Sequence, residues 1–261
     1  MTVIRLAGVQ DVEEMAELSR RSFDPPLRDH LVTTQPRTGE FWRIFVEHPG
    51  SFPGLRFLVA DAGPGGIVGL ADFRHPEPAT GFLSHVCVSA AARGQGLATA
   101  LMRAYLEERP DVQRMELDVF EGSTAARRLY EHLGFRARSS SSWWTMPLPT
   151  SERDTDTGIA FADLHGSFAR FGLFGFCELH GTFRDREFHV GRIGEEVLRL
   201  FSPDDASDTG LLGALGAVFP TLSRALVVTP GDSAPALERL ELLDRSVRMA
   251  AEDLRAIAGP S

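Results

Sequence analysis

The 261-residue chain contains no lysine and no asparagine, so all 27 of its basic residues are arginine. Both missing residues use A-rich codons, and a GC-rich genome would account for their absence. Without lysine there is no phosphate loop ending in Gly-Lys-Ser/Thr. Cysteine is scarce. Cys87 and Cys177 lie far apart in the chain and are expected to be buried free thiols rather than a disulfide. No Cys/His cluster has metal-ligand spacing, so no metal is expected. No run of roughly 18 apolar residues occurs, which argues against a membrane-spanning helix. The opening Met-Thr-Val-Ile-Arg-Leu does not read as a signal peptide. With 36 acidic residues the net charge is −9, which argues against a nucleic acid or an anionic membrane as partner. These absences lead to the expectation of a soluble, cytoplasmic chain, a monomer or homodimer.

The length suffices for one large or two small domains. Charge is uneven: sixteen Arg and eighteen acids precede residue 151, and eleven Arg and eighteen acids follow. Residues 3–6 read as a first strand. Asp11 and Glu14 read as a capping box opening a helix that Pro25-Pro26 ends. A second short helix is expected over 40–47, closed by Pro49-Gly50. Residues 56–60 and 67–73 read as a hairpin about a glycine-rich turn. Strands then follow at 82–88, 115–119 and 135–146, with helices after the first two. The segment 147–157, rich in Pro, Ser, Thr and Asp, reads as a linker.

The most informative stretch is Arg93-Gly94-Gln95-Gly96-Leu97-Ala98. An apolar strand enters it, and a helix with apolar Leu97, Ala98, Leu101, Met102, Tyr105 and Leu106 leaves it. A strand, a glycine turn and a helix N-terminus together form an anion site, because backbone N–H groups there lack partners and the helix dipole adds positive potential. Gly94 and Gly96 permit close approach to the backbone, and Arg93 adds a forked cation. The ligand should carry phosphates. The dinucleotide pattern G-x-G-x-x-G is absent; the form is R-x-x-G-x-A.

Downstream, Ser123-Thr124-Ala125-Ala126-Arg127-Arg128-Leu129-Tyr130-Glu131-His132-Leu133-Gly134-Phe135 has Ser123 as a good N-cap and Gly134 as a good terminator. In these two stretches, and in their order and spacing, residues 1–148 resemble the GNAT-type N-acetyltransferases. That family shows R/Q-x-x-G-x-G/A and N-x-x-A-x-x-L-Y-E-x-x-G-F; Ser123 stands where it usually has Asn. The resemblance implies an α/β (α+β) fold with a mixed twisted sheet flanked by helices, and acetyl-CoA as co-substrate. It implies that the backbone of Val86, Cys87 and Val88 pairs with the pantetheine arm and polarises the carbonyl. Residues Arg93, Gly94, Gln95, Gly96, Leu97, Ala98 and Thr99 would hold the pyrophosphate, Ser123 and Ala126 would flank the cofactor, and Tyr130 would protonate the leaving thiolate.

Acetyl transfer to an amine requires removal of an ammonium proton, a polarised carbonyl, a proton for the thiolate and two substrates held together. His85, beside the acetyl-carrying segment, is a general-base candidate with a suitable ordinary pKa, or else a satisfied core histidine. Asp24, Glu40, Asp72 and Glu116 are further candidates that sequence does not rank. Trp143 and Trp144 alternate faces on a strand, one expected in the core and the other available to an acceptor groove. The acceptor is expected to be a small primary amine. Alternatives are a protein N-terminus, or a non-catalytic acyl-CoA sensor.

Residues 158–261 read as a second, smaller GNAT-like half. Gly210-Leu211-Leu212-Gly213-Ala214-Leu215 sets against Gly96-Leu97-Ala98-Thr99-Ala100-Leu101, and residues 197–201 take the preceding strand's place. After the helix, residues 227–229 match 117–119, Ser233 and Ala236 match Ser123 and Ala126, Leu240 falls on Tyr130, and Leu243 on Leu133. Its phosphate turn is replaced by Ser207-Asp208-Thr209-Gly210, which loses the cation and gains a carboxylate. A long hairpin is expected over 168–176 and 182–190. The tandem arrangement resembles mycothiol synthase-like proteins.

Overall fold

The computed structural model describes residues 2–149, 158–234 and 239–259. In chain order the elements are β1 (Val3–Leu6), α1 (Val12–Arg21), α2 (Pro25–Arg28), α3 (Thr38–Glu47), β2 (Leu55–Asp61), β3 (Ile67–Glu77), β4 (Thr80–Val88), α4 (Leu97–Glu108), β5 (Arg114–Phe120), α5 (Thr124–His132), β6 (Arg136–Pro147), β7 (Ile159–Phe161), α6 (Leu164–Phe174), β8 (Phe176–Phe183), β9 (Arg186–Ile193), β10 (Val197–Leu200), α7 (Pro203–Ser207), α8 (Thr209–Val218), β11 (Arg224–Pro230), β12 (Glu241–Ala251) and α9 (Arg255–Ala258). Through β6 this is the expected order with one short helix more. Pro25-Pro26 opens that helix rather than merely ending α1, since a first turn needs no N–H from proline. Most of the expected linker, residues 150–157, lies outside the described residues.

Two compact units divide the chain: one comprises Met1–Asp24, Gly39–Ser139 and Ser246–Ser261, the other Pro25–Thr38 and Ser140–Arg245. They are drawn differently from the contiguous halves 1–148 and 158–261. In the first unit the strand order is β1-β2-β3-β4-β5-β12, and β12 pairs antiparallel with β5 from Ser246↔Phe120 to Ala251↔Met115. Val247, Met249 and Ala251 alternate into the same core as Leu101, Met102, Tyr105, Met115, Leu117 and Phe135. A period of two on one face of a strand makes that insertion specific. In the second unit the order is β6-β11-β10-β9-β8-β7. There Met146 of β6 joins the Leu179, Leu198, Leu211 and Leu215 core.

The first unit packs helices on both faces of its sheet. One core gathers α4 and α5, the other gathers Val12, Met15 and Leu18 of α1 with Trp42 of α3. The expected capping box is realised differently. Asp11 accepts from the Gly8 N–H at 2.7 Å and receives a forked pair from Arg5 at 2.6 and 2.8 Å, while Glu14 accepts from the Ile67 N–H at 2.7 Å. Asp11 thus caps the turn that begins after Gly8, with Arg5 adding charge-assisted bonds, and only Glu14 is drawn to a donor far along the chain.

In the second unit the expected arm 168–176 is instead α6. Phe168, Phe171 and Phe174 recur every three residues, a helical period, and Asp163 caps the start by accepting from the Gly166 N–H at 2.8 Å. The final repeat helix is absent over 240–243: Leu240 precedes β12 and Leu243 lies in it. Ala236 lies outside the described residues.

Candidate functional site

The site is opened by an irregularity in β4. Asp72 of β3 pairs with His85, but the next residue, Phe73, pairs with Leu83, so Ser84 is the extra residue of a bulge. On the other side of β4, its parallel ladder to β5 runs only from Thr80↔Arg114 to Leu83↔Leu117. Beyond the bulge the backbone of residues 84–88 therefore leaves that ladder, with Val86, Cys87 and Val88 on the departing part. An unpaired strand edge offers alternating N–H and C=O groups to an extended ligand.

Where β4 ends, the predicted turn has the form an anion site needs. Gly94 and Gly96 both have φ +76°, a region open to glycine and strained for other residues. Gly96 is the N-cap of α4 and places no side chain over the helix end. The amide of Ala100 bonds back to the Gly96 carbonyl at 2.9 Å; the N–H groups of Leu97, Ala98 and Thr99 come before it and have no carbonyl within the helix. Arg93 is exposed, its Nε donating to the Val88 carbonyl at 3.3 Å, and Gln95 donates to the Ala91 carbonyl at 3.3 Å. A cleft of about 640 Å³ runs beside this turn, lined by Glu13, Glu17, Leu18, Ser22, Ser89 and Arg93 among others.

Tyr130 lies in α5, buried in the α4/α5 core, and Val86 and Ala126 pack against that core. Burial, with Cys87 adding to it, raises the phenol above its ordinary pKa, so it holds its proton at neutral pH. Its position is fixed by the helix end. Phe135 N–H reaches the Tyr130 carbonyl at 2.9 Å and Gly134 N–H reaches that of Glu131 at 3.2 Å, with Gly134 at φ +89°. The Tyr130 and Phe135 rings meet edge-on at 5.6 Å. This is a Schellman termination, and it gives the Tyr-x-x-x-Gly-Phe spacing a structural reason of its own. Ser123 is the N-cap of α5 by position, but its hydroxyl makes no capping bond.

His85 lies beside the bulge and is buried. Its Nε2 is 2.9 Å from Ser19 Oγ and 3.2 Å from Cys87 Sγ. Its ring stacks on Phe23 at 5.6 Å and tilts against Trp42. Burial pushes the imidazole down to about 4 and the Cys87 thiol up to about 12. Across the strands, buried Asp72 is pushed up to about 6, chiefly by burial, with Arg74 and Ser84 opposing. The other carboxylates differ. Asp24 and Glu40 are exposed, and Glu116 pairs with Arg114 at 2.5 Å and with Arg248 at 3.3 Å. Trp143 and Trp144 belong to the second unit: Trp144 donates to Thr229 Oγ1 at 3.0 Å and packs on the main core, while Trp143 packs with Ile193, Val197 and Leu226. Sequence reasoning missed the bulge and the Ser19, Phe23 and Trp42 cage. The one signal for the bulge was a serine inside an apolar strand.

In the second unit, the helix N-terminus that matches α4 is filled by the chain. Asp208 accepts from the Leu211 N–H at 2.8 Å and from Arg186 at 2.7 Å. Both cysteines are free and buried. Among the described residues no helix is long and apolar enough to cross a membrane.

Residues 12–135 match the model of the Acetyltransferase (GNAT) family. A mycothiol acetyltransferase from Beutenbergia cavernae is 32% identical over 139 residues, an alignment taking in 51% of this chain and 44% of that relative; the chain thus spans less than half the length of the curated relative. Among solved structures, a tandem GNAT protein of the clavulanic acid biosynthesis pathway matches with a TM-score of 0.66 at 14% identity, covering 100% of both chains. A GCN5-related N-acetyltransferase from Sphaerobacter thermophilus matches with a TM-score of 0.60 at 15% identity over 95% of each chain. At such identities the likeness is one of fold: a GNAT fold of mixed sheet and flanking helices, followed by a second GNAT-like half.

Proposed function

We propose, from the match of residues 12–135 to the Acetyltransferase (GNAT) family model, that this chain transfers an acetyl group from acetyl-CoA to the primary amine of a small molecule, directly and within a ternary complex. The observation that carries the reading is the departure of β4 from β5 after Leu83, ending at a glycine turn with uncapped amides. Residues 93–99 hold the pyrophosphate, with Arg93 closing over it. Val86, Cys87 and Val88 lie along the pantetheine, and one of their N–H groups polarises the thioester carbonyl as charge develops on oxygen. Ser123 and Ala126 flank the cofactor from α5.

The amine nitrogen attacks the carbonyl carbon and the C–S bond breaks. Tyr130 gives its proton to the departing sulfur. Asp72, held at about 6, has a proton affinity better matched to neutral pH than His85 at about 4. Asp72 is buried opposite His85 beside the bulge, so we assign it to take the amine's proton through water, and His85 to hold β4 in its bulged path. The named activity of the curated relative supports a small-molecule acceptor.

Steady-state release of CoA thiol, measured over a panel of amines, tests this. Turnover on at least one amine is expected, falling by roughly 10²-fold in Tyr130→Phe with little change in acetyl-CoA affinity. Tight acetyl-CoA binding with no turnover on any amine, small or peptidyl, would overturn the enzyme reading in favour of a sensor. Full turnover in Tyr130→Phe would leave that ring as packing only.

A further inference from the structure

We propose that Glu178, His180 and His189 form a binding site for a divalent transition metal of the zinc class, on the β8–β9 hairpin of the second unit. The transfer argued above assigns no role to any of the three, so the proposal stands apart from it.

The hairpin register creates the site. His180 of β8 is directly opposite His189 of β9, so both side chains rise from the same face. Glu178, two residues before His180, shares that face by the period of the strand. One ligand atom from each residue lies within 4.8 Å of the other two. Glu178 Oε2 is 3.0 Å from His189 Nε2 and 3.6 Å from His180 Nε2. Two ligands each 2.0–2.1 Å from one tetrahedral zinc stand about 3.3 Å apart, and the two separations from Glu178 bracket that value. The imidazoles stack with centroids 4.0 Å apart. Imidazole lone pairs lie in the ring plane, so the stacked rings must turn apart to converge on one ion, and exposure of 55% and 42% leaves room for that.

A second feature points the same way. His180 and His189 line a cavity of about 660 Å³ whose wall also holds Phe201 and Ser202. Phe201 packs on the His189 ring at 4.3 Å, which restrains one ligand on its apolar side. Two imidazoles and one carboxylate make a borderline donor set suited to Zn²⁺, Co²⁺ or Ni²⁺ rather than to Mg²⁺ or Ca²⁺. Three protein ligands leave a coordination position for water. Bound there, the ion ties β8 to β9 and replaces an imidazole–carboxylate contact with two metal–nitrogen bonds. The sequence spacing, Glu-x-His and a histidine nine residues on, is not a ligand motif until the register brings the strands together.

The full chain, carrying no histidine tag and stripped with a chelator, is titrated with Zn²⁺ by calorimetry and with Co²⁺ by visible absorption. One equivalent per chain is expected, with Co²⁺ d–d bands and a rise in melting temperature on adding Zn²⁺, as for any ligand that prefers the folded state. His180→Gln with His189→Gln should weaken binding at least tenfold, since even loss of a group behind a ligand costs about 10–100-fold. Glu178→Gln, which keeps the shape and removes the charge, should weaken it as well and guards against a double variant that fails to fold. Absence of heat and of Co²⁺ bands in the wild type, or an unchanged isotherm in a folded double variant, would overturn the proposal.

Discussion

The two units each contain a strand–helix–strand crossover with parallel strands: β4-α4-β5 in one, β10-α8-β11 in the other. In the second, β10 stays paired with β11 along its whole length, from Val197↔Arg224 to Leu200↔Val227. In the first, only residues 80–83 of β4 pair with β5, and a bulge at Ser84 directs the rest of the strand away. The helix ends differ in the same sense. Gly96 presents bare amides at α4, whereas Asp208 brings its own carboxylate to the first turn of α8 and holds Arg186 with it. An anion site can thus be lost in two ways at once, by removing the cation and by filling the helix end from within. What the first unit leaves unsatisfied is what a cofactor can satisfy.

The harshest way to break the comparison is to remove the far C-terminal strand from the first unit. Deleting residues 246–261 takes Val247, Met249, Ala251 and Ile257 out of its core. At about 1.5–3 kcal/mol for a large buried side chain, the loss is comparable to the whole stability of many domains. The shortened chain should lose cooperative melting of the first unit in near-ultraviolet circular dichroism. A fragment of residues 1–148 that melts cooperatively and binds acetyl-CoA would contradict the assignment of β12.

The second test sets one turn against the other. Acetyl-CoA should bind with one equivalent per chain. Arg93→Ala with Gly96→Asp copies the second unit's chemistry into the first and should weaken binding by about 100-fold or more, equivalent to about 2.7 kcal/mol. Retained affinity in calorimetry would place the cofactor elsewhere.

Next in size is the buried acid at the bulge. The folded pKa of Asp72, about 6, is above the unfolded value of roughly 3.9. Its contribution to stability is complete below pH 4 and is lost as pH rises through 6. Asp72→Asn should therefore stabilise the protein at pH 8 by about 2–3 kcal/mol and leave it nearly unchanged at pH 4. His85, pushed down to about 4, acts oppositely: its contribution is lost as pH falls from 6.5 through 4. Urea unfolding at both pH values reads the difference, and an equal effect of Asp72→Asn at each would show that the carboxyl keeps its ordinary pKa.

The smallest effect sharpens the comparison from the other side. Asp208→Ala removes an N-cap and should destabilise by about 1 kcal/mol, a shift of a few degrees in melting temperature. The acetyl-CoA stoichiometry should stay at one, because β10 and β11 do not part. A second equivalent would mean that the carboxylate alone closes the second site.

Much of this protein was legible without coordinates wherever the determining interactions lie within a few residues. The R-x-x-G-x-A turn, the Gly134 helix end and the burial of Cys87 and Cys177 follow from backbone sterics, orphan helix amides and hydropathy, all local in the chain. The same reasoning misplaced Glu14, whose partner is Ile67, and read α6 as a strand although its phenylalanines recur every three residues. It also ran the two halves in sequence order. Only tertiary structure decided that β12 pairs with β5, that Ser84 bulges, that Asp72 and His85 shift in opposite directions, and that His180 faces His189. Each of these depends on which distant segment becomes a neighbour and how far water is excluded, and neither register nor dielectric is written in any short stretch of residues.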